Sequence, residues 1–304
     1  MIGGLWRSKF ALVYDGKVWM TRRISVAILF VLMIALSQSF AGAYEEAPVL
    51  DGGALAGRVF LKGPTPPTRI FHLIFSPNID YCMAISDGQG NRLLNEFRVS
   101  DAGGLENAIV SIVGVEKGKP FDFTPRIDIK HCRIQPFVTP VRNNHPIAIK
   151  NEDPVLHDIQ GYTMKGEYTF PMFNKPMVPN SEALRKVRFR KKHYLFRTQC
   201  GVHDYMQSWG LAVGNPYFAV TDAEGRFEIT DVPPGTYFVI AWHPHMKLQA
   251  QKVTINPKKS VSIEYTFDGK QVKIPTHDLQ INYRLQTPLR PRHFNTPAVE
   301  LQVH

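Results

Sequence analysis

Three residues that can bind a metal are spaced at intervals of three in Cys200-Gly-Val-His203-Asp-Tyr-Met206. A thiolate, an imidazole and a thioether on one short loop form a soft but incomplete site, which needs one more nitrogen ligand. His157, beyond the strand-like segment 147–150, is the candidate. Two imidazoles, a thiolate and a distant methionine sulfur suit copper, whereas zinc would prefer a fourth strong ligand to a thioether. These residues predict one type 1 copper site that transfers single electrons.

Short strands must position these ligands, because the chain has no long stretch with helical periodicity. Gly-Pro, Asp-Gly, Asn-Asn and Pro-Pro-Gly turn signals separate runs rich in β-branched and aromatic residues. The pattern predicts an all-β protein built from β-sandwiches. The predicted strands include 55–61, 108–115, 146–150, 217–220, 225–229 and 237–242.

The segment Asn151-Glu-Asp-Pro-Val-Leu-His157, followed by the loop from Cys200 to Met206, resembles the plastocyanin and amicyanin group of cupredoxins. The resemblance covers residues 120–214 and implies a Greek-key β-sandwich. It also implies that His157, Cys200 and His203 are equatorial copper ligands and that Met206 is the axial ligand. Asp158 replaces the asparagine usual in this group, and we expect its charge near the thiolate to affect the reduction potential.

Residues 215–268 contain Thr221-Asp-Ala-Glu-Gly-Arg-Phe-Glu-Ile229, then a Pro-Pro-Gly turn and an aromatic strand. This pattern is similar to carboxypeptidase regulatory-like (transthyretin-like) β-sandwich modules, which implies a structural or docking role. Residues 44–119 are expected to supply N-terminal strands, and Leu55–Gly63 could be the opening strand of this module. His243 and His245 could chelate a second metal, but we expect exposed histidines on a loop.

The N-terminal segment 1–43 has the features of a secretory signal peptide. Arg22 and Arg23 precede the apolar run Ile24–Leu36, and the segment ends in Ala41-Gly-Ala43. We expect cleavage after Ala43 and a periplasmic protein, with a retained anchor as the alternative; the true start could be Met20. Residues 269–304 are expected to form an extended tail.

The protein has three cysteines, which is informative in an oxidising compartment, where spare thiols usually pair. Cys82 and Cys132 either form a disulfide or are separately buried as small apolar residues. Both alternatives leave Cys200 as the free thiol of the metal motif.

The chain has a formal net charge of +10, of which residues 1–43 carry +4, so the mature part stays basic. This charge favours acidic redox partners, such as a cytochrome or an oxidoreductase, or contact with an anionic membrane surface. No nucleic-acid-binding motif accompanies the dense basic stretch Arg185–Lys192, which is either a solvated strand edge or a docking patch.

The function predicted from these features is electron transfer between redox partners by a periplasmic blue-copper protein. No catalytic constellation was recognised, so we expect a protein that is not an enzyme. Two other classes remain open: a copper chaperone or sensor that uses the same ligands, and a metal-free β-sandwich scaffold of the cell envelope.

Overall fold

The computed structural model describes residues 44–166 and 168–272. The predicted signal peptide and all but the first four residues of the predicted tail lie outside this part of the chain. Within it there are twenty strands and one α-helix, so the all-β prediction is confirmed. No helix among these residues is long and apolar enough to cross a membrane.

The strands in chain order are β1 (Glu45–Glu46), β2 (Gly53–Lys62), β3 (Arg69–His72), β4 (Asn91–Leu94), β5 (Ile109–Val113), β6 (Lys117–Gly118), β7 (Arg126–Ile129), β8 (Ile134–Gln135), β9 (Val138–Arg142), β10 (Pro146–Asn151), β11 (His157–Lys165), β12 (Tyr168–Met177), β13 (Ser181–Lys186), β14 (Leu195–Cys200), β15 (Gln207–Val213), β16 (Phe218–Val220), β17 (Arg226–Val232), β18 (Gly235–Trp242), β19 (Gln249–Ile255) and β20 (Ser260–Asp268). The α-helix α1 is Ile79–Cys82, and 3₁₀ turns span Leu73–Phe75, Met83–Ile85 and Gly269–Gln271.

The first sandwich contains the predicted copper ligands. One of its sheets has the strand order β13-β10-β7-β8, and the other has the order β12-β11-β14-β15-β9. In β10 every second residue is buried, which is the period-two pattern of a strand with one face on a core. Ile127 and Ile149 from one sheet share a core with Ile159 and Phe196 from the other.

The second sandwich combines strands from both ends of the described chain. Its sheets have the orders β16-β5-β18-β19 and β17-β2-β20, and β2 pairs with β20 in parallel. Leu55 of β2 and Val239 of β18 belong to its core. The Tyr265 hydroxyl donates a hydrogen bond to the Val239 carbonyl at 2.6 Å and so links the two sheets.

Residues 69–94, here called the cap, form the small β3-β4 sheet and the helical turns between these strands. A third apolar cluster joins the two sandwiches, with Val138 and Trp209 from the first and Ile109 and Trp242 from the second. The sandwiches therefore pack through apolar side chains.

Candidate metal centre

The turn between β10 and β11 places His157 at the start of β11. The side-chain amide of Asn151 donates hydrogen bonds to the carbonyls of Val155 at 2.9 Å and Val178 at 3.0 Å. Its oxygen accepts a hydrogen bond from the Asp153 backbone N–H at 3.0 Å. Because short polar side chains stabilise turns through such bonds, Asn151 fixes the path of the chain into His157.

The other candidate ligands lie on the turn that joins β14 to β15. Cys200 is the last residue of β14, and its N–H donates to the Met206 carbonyl at 3.0 Å. The Met206 N–H donates to the His203 carbonyl at 2.9 Å, and the Gly201 N–H donates to the Asp158 carbonyl at 2.7 Å. These bonds hold the ligand loop against the start of β11.

Both imidazoles direct Nδ1 at the Cys200 sulfur. The distance from Sγ to Nδ1 is 3.7 Å for His157 and 3.6 Å for His203, and the three donor atoms lie within 4.8 Å of one another. With metal bonds of about 2.0 Å to nitrogen and about 2.3 Å to sulfur, donor atoms at angles of about 110–120° are about 3.5–3.7 Å apart. The three side chains therefore fit a single metal ion.

Hydrogen bonds orient the outer nitrogen of each imidazole. His157 Nε2 donates to Asp153 Oδ2 at 3.0 Å, and His203 Nε2 donates to the Pro77 carbonyl at 3.2 Å. Such partners fix the tautomer in which Nδ1 is unprotonated and can bind a metal. Asp153 also accepts hydrogen bonds from the Tyr81 hydroxyl at 2.9 Å and the Cys132 N–H at 2.8 Å.

The same contacts favour a thiolate at neutral pH. Burial alone would raise the pKa of Cys200, but its contacts with the imidazoles of His157 and His203 lower it to about 6. Burial would also raise the pKa of Asp153, yet its hydrogen bonds lower this pKa to about 2. Burial opposes the charged form of His157, but its contacts with Asp153 and Cys200 raise its pKa.

Met206 and Asp158 differ in their relation to the site. Met206 is buried and packs in the same core cluster as Cys200. Asp158 lies on the opposite face of β11 from His157, where its carboxylate accepts a hydrogen bond from Gln160 Nε2 at 3.0 Å. The carboxylate that contacts His157 is therefore that of Asp153, which lies four residues before His157.

The cap covers the site and is attached to it covalently. Cys82 and Cys132 form a disulfide, so the paired alternative holds, and Cys200 is the free, buried cysteine. Cys82 Sγ lies 3.7 Å from His203 Nε2. Asp153 could have been suspected from its turn, whereas the roles of Pro77 and Tyr81 could not, because no motif links the cap to the ligand loop.

The expectation of exposed histidines at positions 243 and 245 is wrong. His243 and His245 are 0% and 7% exposed, respectively. Burial lowers the pKa of His243 to about 4, and its Nδ1 donates to the Pro244 carbonyl at 2.8 Å. His245 Nε2 lies 3.5 Å from Glu96 Oε1. Within the described ranges, neither histidine belongs to a cluster of three metal-binding groups.

The basic stretch Arg185–Lys192 lies away from the candidate metal centre. It begins at the end of the edge strand β13, where Lys186 pairs with Pro146, whereas Ser181 pairs with Asn151 at the metal end. Five residues along a strand span about 17 Å. Most of the stretch is exposed, in keeping with the solvated-edge alternative.

A family model described as polysaccharide lyase family 4, domain II, matches residues 194–263. This match begins next to β14 of the first sandwich and ends within β20 of the second. No curated protein matches the chain.

Among solved structures, the chain is similar to a purple cupredoxin from Nitrosopumilus maritimus. The two are 14% identical, the alignment covers 29% of this chain and 97% of that one, and the TM-score is 0.24. A variant of amicyanin in its reduced Cu(I) form is 13% identical, with 31% and 85% of the chains covered and a TM-score of 0.24. A copper-containing nitrite reductase from Thermus scotoductus is 13% identical, with 31% and 23% covered and a TM-score of 0.25. With such low TM-scores, these are weak similarities to cupredoxins.

Proposed function

We propose that this chain is an exported copper protein that transfers single electrons between redox partners. His157, Cys200 and His203 would hold one copper ion, with Met206 as a fourth, weaker ligand. The observation that carries this proposal is the approach of two imidazole Nδ1 atoms to one buried cysteine sulfur at 3.6 and 3.7 Å. When bound, copper would supply a reversible one-electron couple.

The donor set favours copper over other metals. A thiolate and a thioether are soft donors, and two imidazoles complete a set that suits copper better than magnesium or calcium. The pKa of about 6 for Cys200 makes the thiolate available at neutral pH. Met206 is at the position that a weak axial sulfur ligand requires in the loop sequence.

Burial favours electron transfer over copper delivery. His157 and His203 are both 0% exposed and Cys200 is 2% exposed, so a partner could not exchange ligands with the metal unless the cap moved. An electron needs no such opening. His203 is one hydrogen bond from Pro77, which is exposed, and this contact gives a short route to the surface.

The partner would dock at the metal end of the first sandwich. Leu156, next to His157, is 44% exposed, and Val178, whose carbonyl binds the Asn151 amide, is 58% exposed. A redox protein such as a cytochrome or an oxidoreductase could cover this apolar surface. The basic stretch would then steer an acidic partner or a membrane surface from a distance.

The second sandwich would serve as a structural or docking module of the carboxypeptidase regulatory-like type. Within the described ranges, its surface hairpin, from Asp222 to Gly225, belongs to no cluster of three metal-binding groups. The Cys82–Cys132 disulfide supports an oxidising compartment such as the periplasm, because disulfides persist there and are rare in the cytosol.

The test is to produce the full chain in a bacterial host, recover the exported protein, load it with Cu(II) and remove excess metal. We expect an intense visible charge-transfer band and an EPR spectrum with narrow copper hyperfine splitting. Cys200→Ser should abolish the band, and His203→Gln should weaken or shift it. His193→Gln is the matched control, because His193 is also buried in this sandwich but contacts Thr163 instead of the candidate ligands.

Reversible cyclic voltammetry would complete the support for electron transfer. A colourless protein that retains Cu(I) without redox cycling would favour the chaperone. A protein that retains no copper after refolding would contradict the proposal and favour the metal-free scaffold.

A further inference from the structure

A cavity of about 560 Å³ lies behind the candidate metal centre. The cap forms one wall, the β7-β8 turn forms a second, and the ligand loop forms a third. Cys132, Tyr205 and Met206 all line it. Its volume is in the range of pockets that bind small molecules. A ligand in this cavity would therefore touch the residues that surround the copper site.

The charged side chains of this cavity do not balance. Its lining contains four arginines and two glutamates: Arg69, Arg92, Arg98, Arg133, Glu96 and Glu106. Arg69 forms a buried ion pair with Glu96, and Arg98 pairs with Glu106 at 3.0 Å. Both carboxylates are thus already engaged. Within residues 44–166 and 168–272, no carboxylate forms an ion pair with Arg92 or Arg133.

Arg92 and Arg133 are close enough to repel each other. Burial and the neighbouring charge of Arg133 lower the pKa of Arg92 to about 10, so Arg92 remains cationic at neutral pH. Arg92 is half-buried and forms no ion pair with a carboxylate of the described chain, whereas Arg133 is exposed at the mouth of the cavity. A half-buried cation without a counterion is costly, and an anion held beside Arg92 and Arg133 would offset that cost. Arginine is also the side chain best suited to bind carboxylates and phosphates through paired hydrogen bonds.

Polar atoms without partners line the same cavity. In the described part of the chain, Arg92 Nε, the Tyr205 hydroxyl and Gln207 Oε1 are buried and have no hydrogen-bond partner. Tyr205 is only 4% exposed. Buried polar groups normally have partners, so a polar molecule in contact with these side chains would satisfy them. Arg92 and Tyr205 can both donate to an anion.

We propose that this basic cavity binds a small anion, whose carboxylate or phosphate group is held by Arg92 and Arg133 and by the Tyr205 hydroxyl. The cavity would also connect anion binding to the copper couple, a part of the proposal that rests on the proposed function. Because Tyr205 and Met206 belong to the ligand loop, a bound negative charge would favour Cu(II) over Cu(I) and lower the reduction potential. The reduction potential of the copper site would then respond to the concentration of this small anion.

The first experiment measures binding on the copper-free protein by isothermal titration calorimetry, so that it is independent of copper. The probes are inorganic phosphate and malonate, with chloride at equal ionic strength as a control for screening. We expect saturable binding of phosphate or malonate and none of chloride. Tighter binding of phosphate would identify a phosphate group as the ligand chemistry, and tighter binding of malonate would identify a carboxylate.

Arg92→Gln and Arg133→Gln should each weaken binding at least tenfold, because each removes a charge-assisted contact. Arg133 is exposed, so its variant should fold normally. Arg226→Gln removes the same charge from the hairpin of the second sandwich, where Arg226 pairs with Asp222, and should bind as the parent does. Absence of saturable binding, or affinities within twofold for all three variants, would overturn the proposal.

The copper-loaded protein supplies the second readout. The saturating probe should lower the reduction potential of the parent, and Arg92→Gln should reduce this shift. If the copper-free protein binds the anion but the reduction potential of a confirmed copper centre does not change, the anion site stands and its coupling to copper is refuted. If the chain binds the anion but holds no copper, the anion site stands and the proposed electron-transfer function fails.

Discussion

Asp153→Asn is the change that should separate the role of this carboxylate from that of the neighbouring Asp158. Asp153 is fully buried and accepts four hydrogen bonds, two at each oxygen. Oδ1 accepts from the Tyr81 hydroxyl and the His131 N–H, and Oδ2 accepts from the Cys132 N–H and His157 Nε2. An asparagine has only one oxygen, so its NH₂ group must face one of these pairs.

Either orientation of the asparagine leaves one backbone N–H of the 131–132 turn without an acceptor. A buried, unsatisfied donor costs about 1–3 kcal/mol, and three remaining bonds that lose the carboxylate charge cost about 1 kcal/mol each. We therefore expect the unfolding free energy of the copper-free protein to fall by about 4–6 kcal/mol. If the NH₂ group faces His157, the imidazole must move its proton to Nδ1, the nitrogen directed at Cys200.

The control is Asp158→Asn, which makes the same chemical change next to His157 in sequence. Asp158 is half-buried and accepts one side-chain bond from Gln160, so the cost should be below about 1 kcal/mol. Urea unfolding followed by circular dichroism gives both free energies. Competition with a chelator gives the copper affinities, which should fall about 10–100-fold for Asp153→Asn and remain unchanged for Asp158→Asn. Equal stability and equal affinity of the two variants would refute this reasoning.

Three further changes test other parts of the site. The double change Cys82→Ala and Cys132→Ala opens a loop of 50 residues, and urea unfolding should show a loss of about 4 kcal/mol. Met206→Leu should keep the visible band and raise the reduction potential in voltammetry, because a weak sulfur donor that favours Cu(II) is removed. Copper-free protein should lose stability as the pH falls from about 4 to about 2, because the folded-state pKa of Asp153 is about 2 and lies below the ordinary value. Asp153→Asn should flatten this part of a stability-against-pH curve, and an unaltered slope would contradict the assignment.

The strands could be predicted because their residues alternate between a buried and an exposed face. Phe227 and Ile229 on β17 are buried, as are Val239 and Ala241 on β18, while their neighbours in each strand are more exposed. This pattern is local, so one sequence suffices to detect it. Strand pairing is not local: β2 lies beside β20, near the other end of the described chain, and no periodicity specifies such a partner.

The candidate ligands could be proposed from the sequence because donor type and spacing suffice to suggest a site. Their surroundings could not. The cap reaches His203 through the Pro77 carbonyl and reaches Asp153 through the Tyr81 hydroxyl, although it precedes both in sequence by more than 70 residues. The burial of His243 and His245 was missed for the same reason, since two sandwiches must pack together before their junction excludes water.

The burial on which the proposed electron-transfer function depends also imposes a requirement on the assembly of the site. Three candidate ligands that are 0–2% exposed would not take up copper through the closed cap, and Cys82–Cys132 links the cap to the turn that contacts Asp153. Copper must then enter before this disulfide forms, or the cap must open locally while the disulfide remains intact. Both routes predict slower loading of the oxidised, folded protein than of a Cys82→Ala and Cys132→Ala variant. A stopped-flow measurement of the visible band would compare the two rates, and equal rates would show that the cap does not limit access to the site.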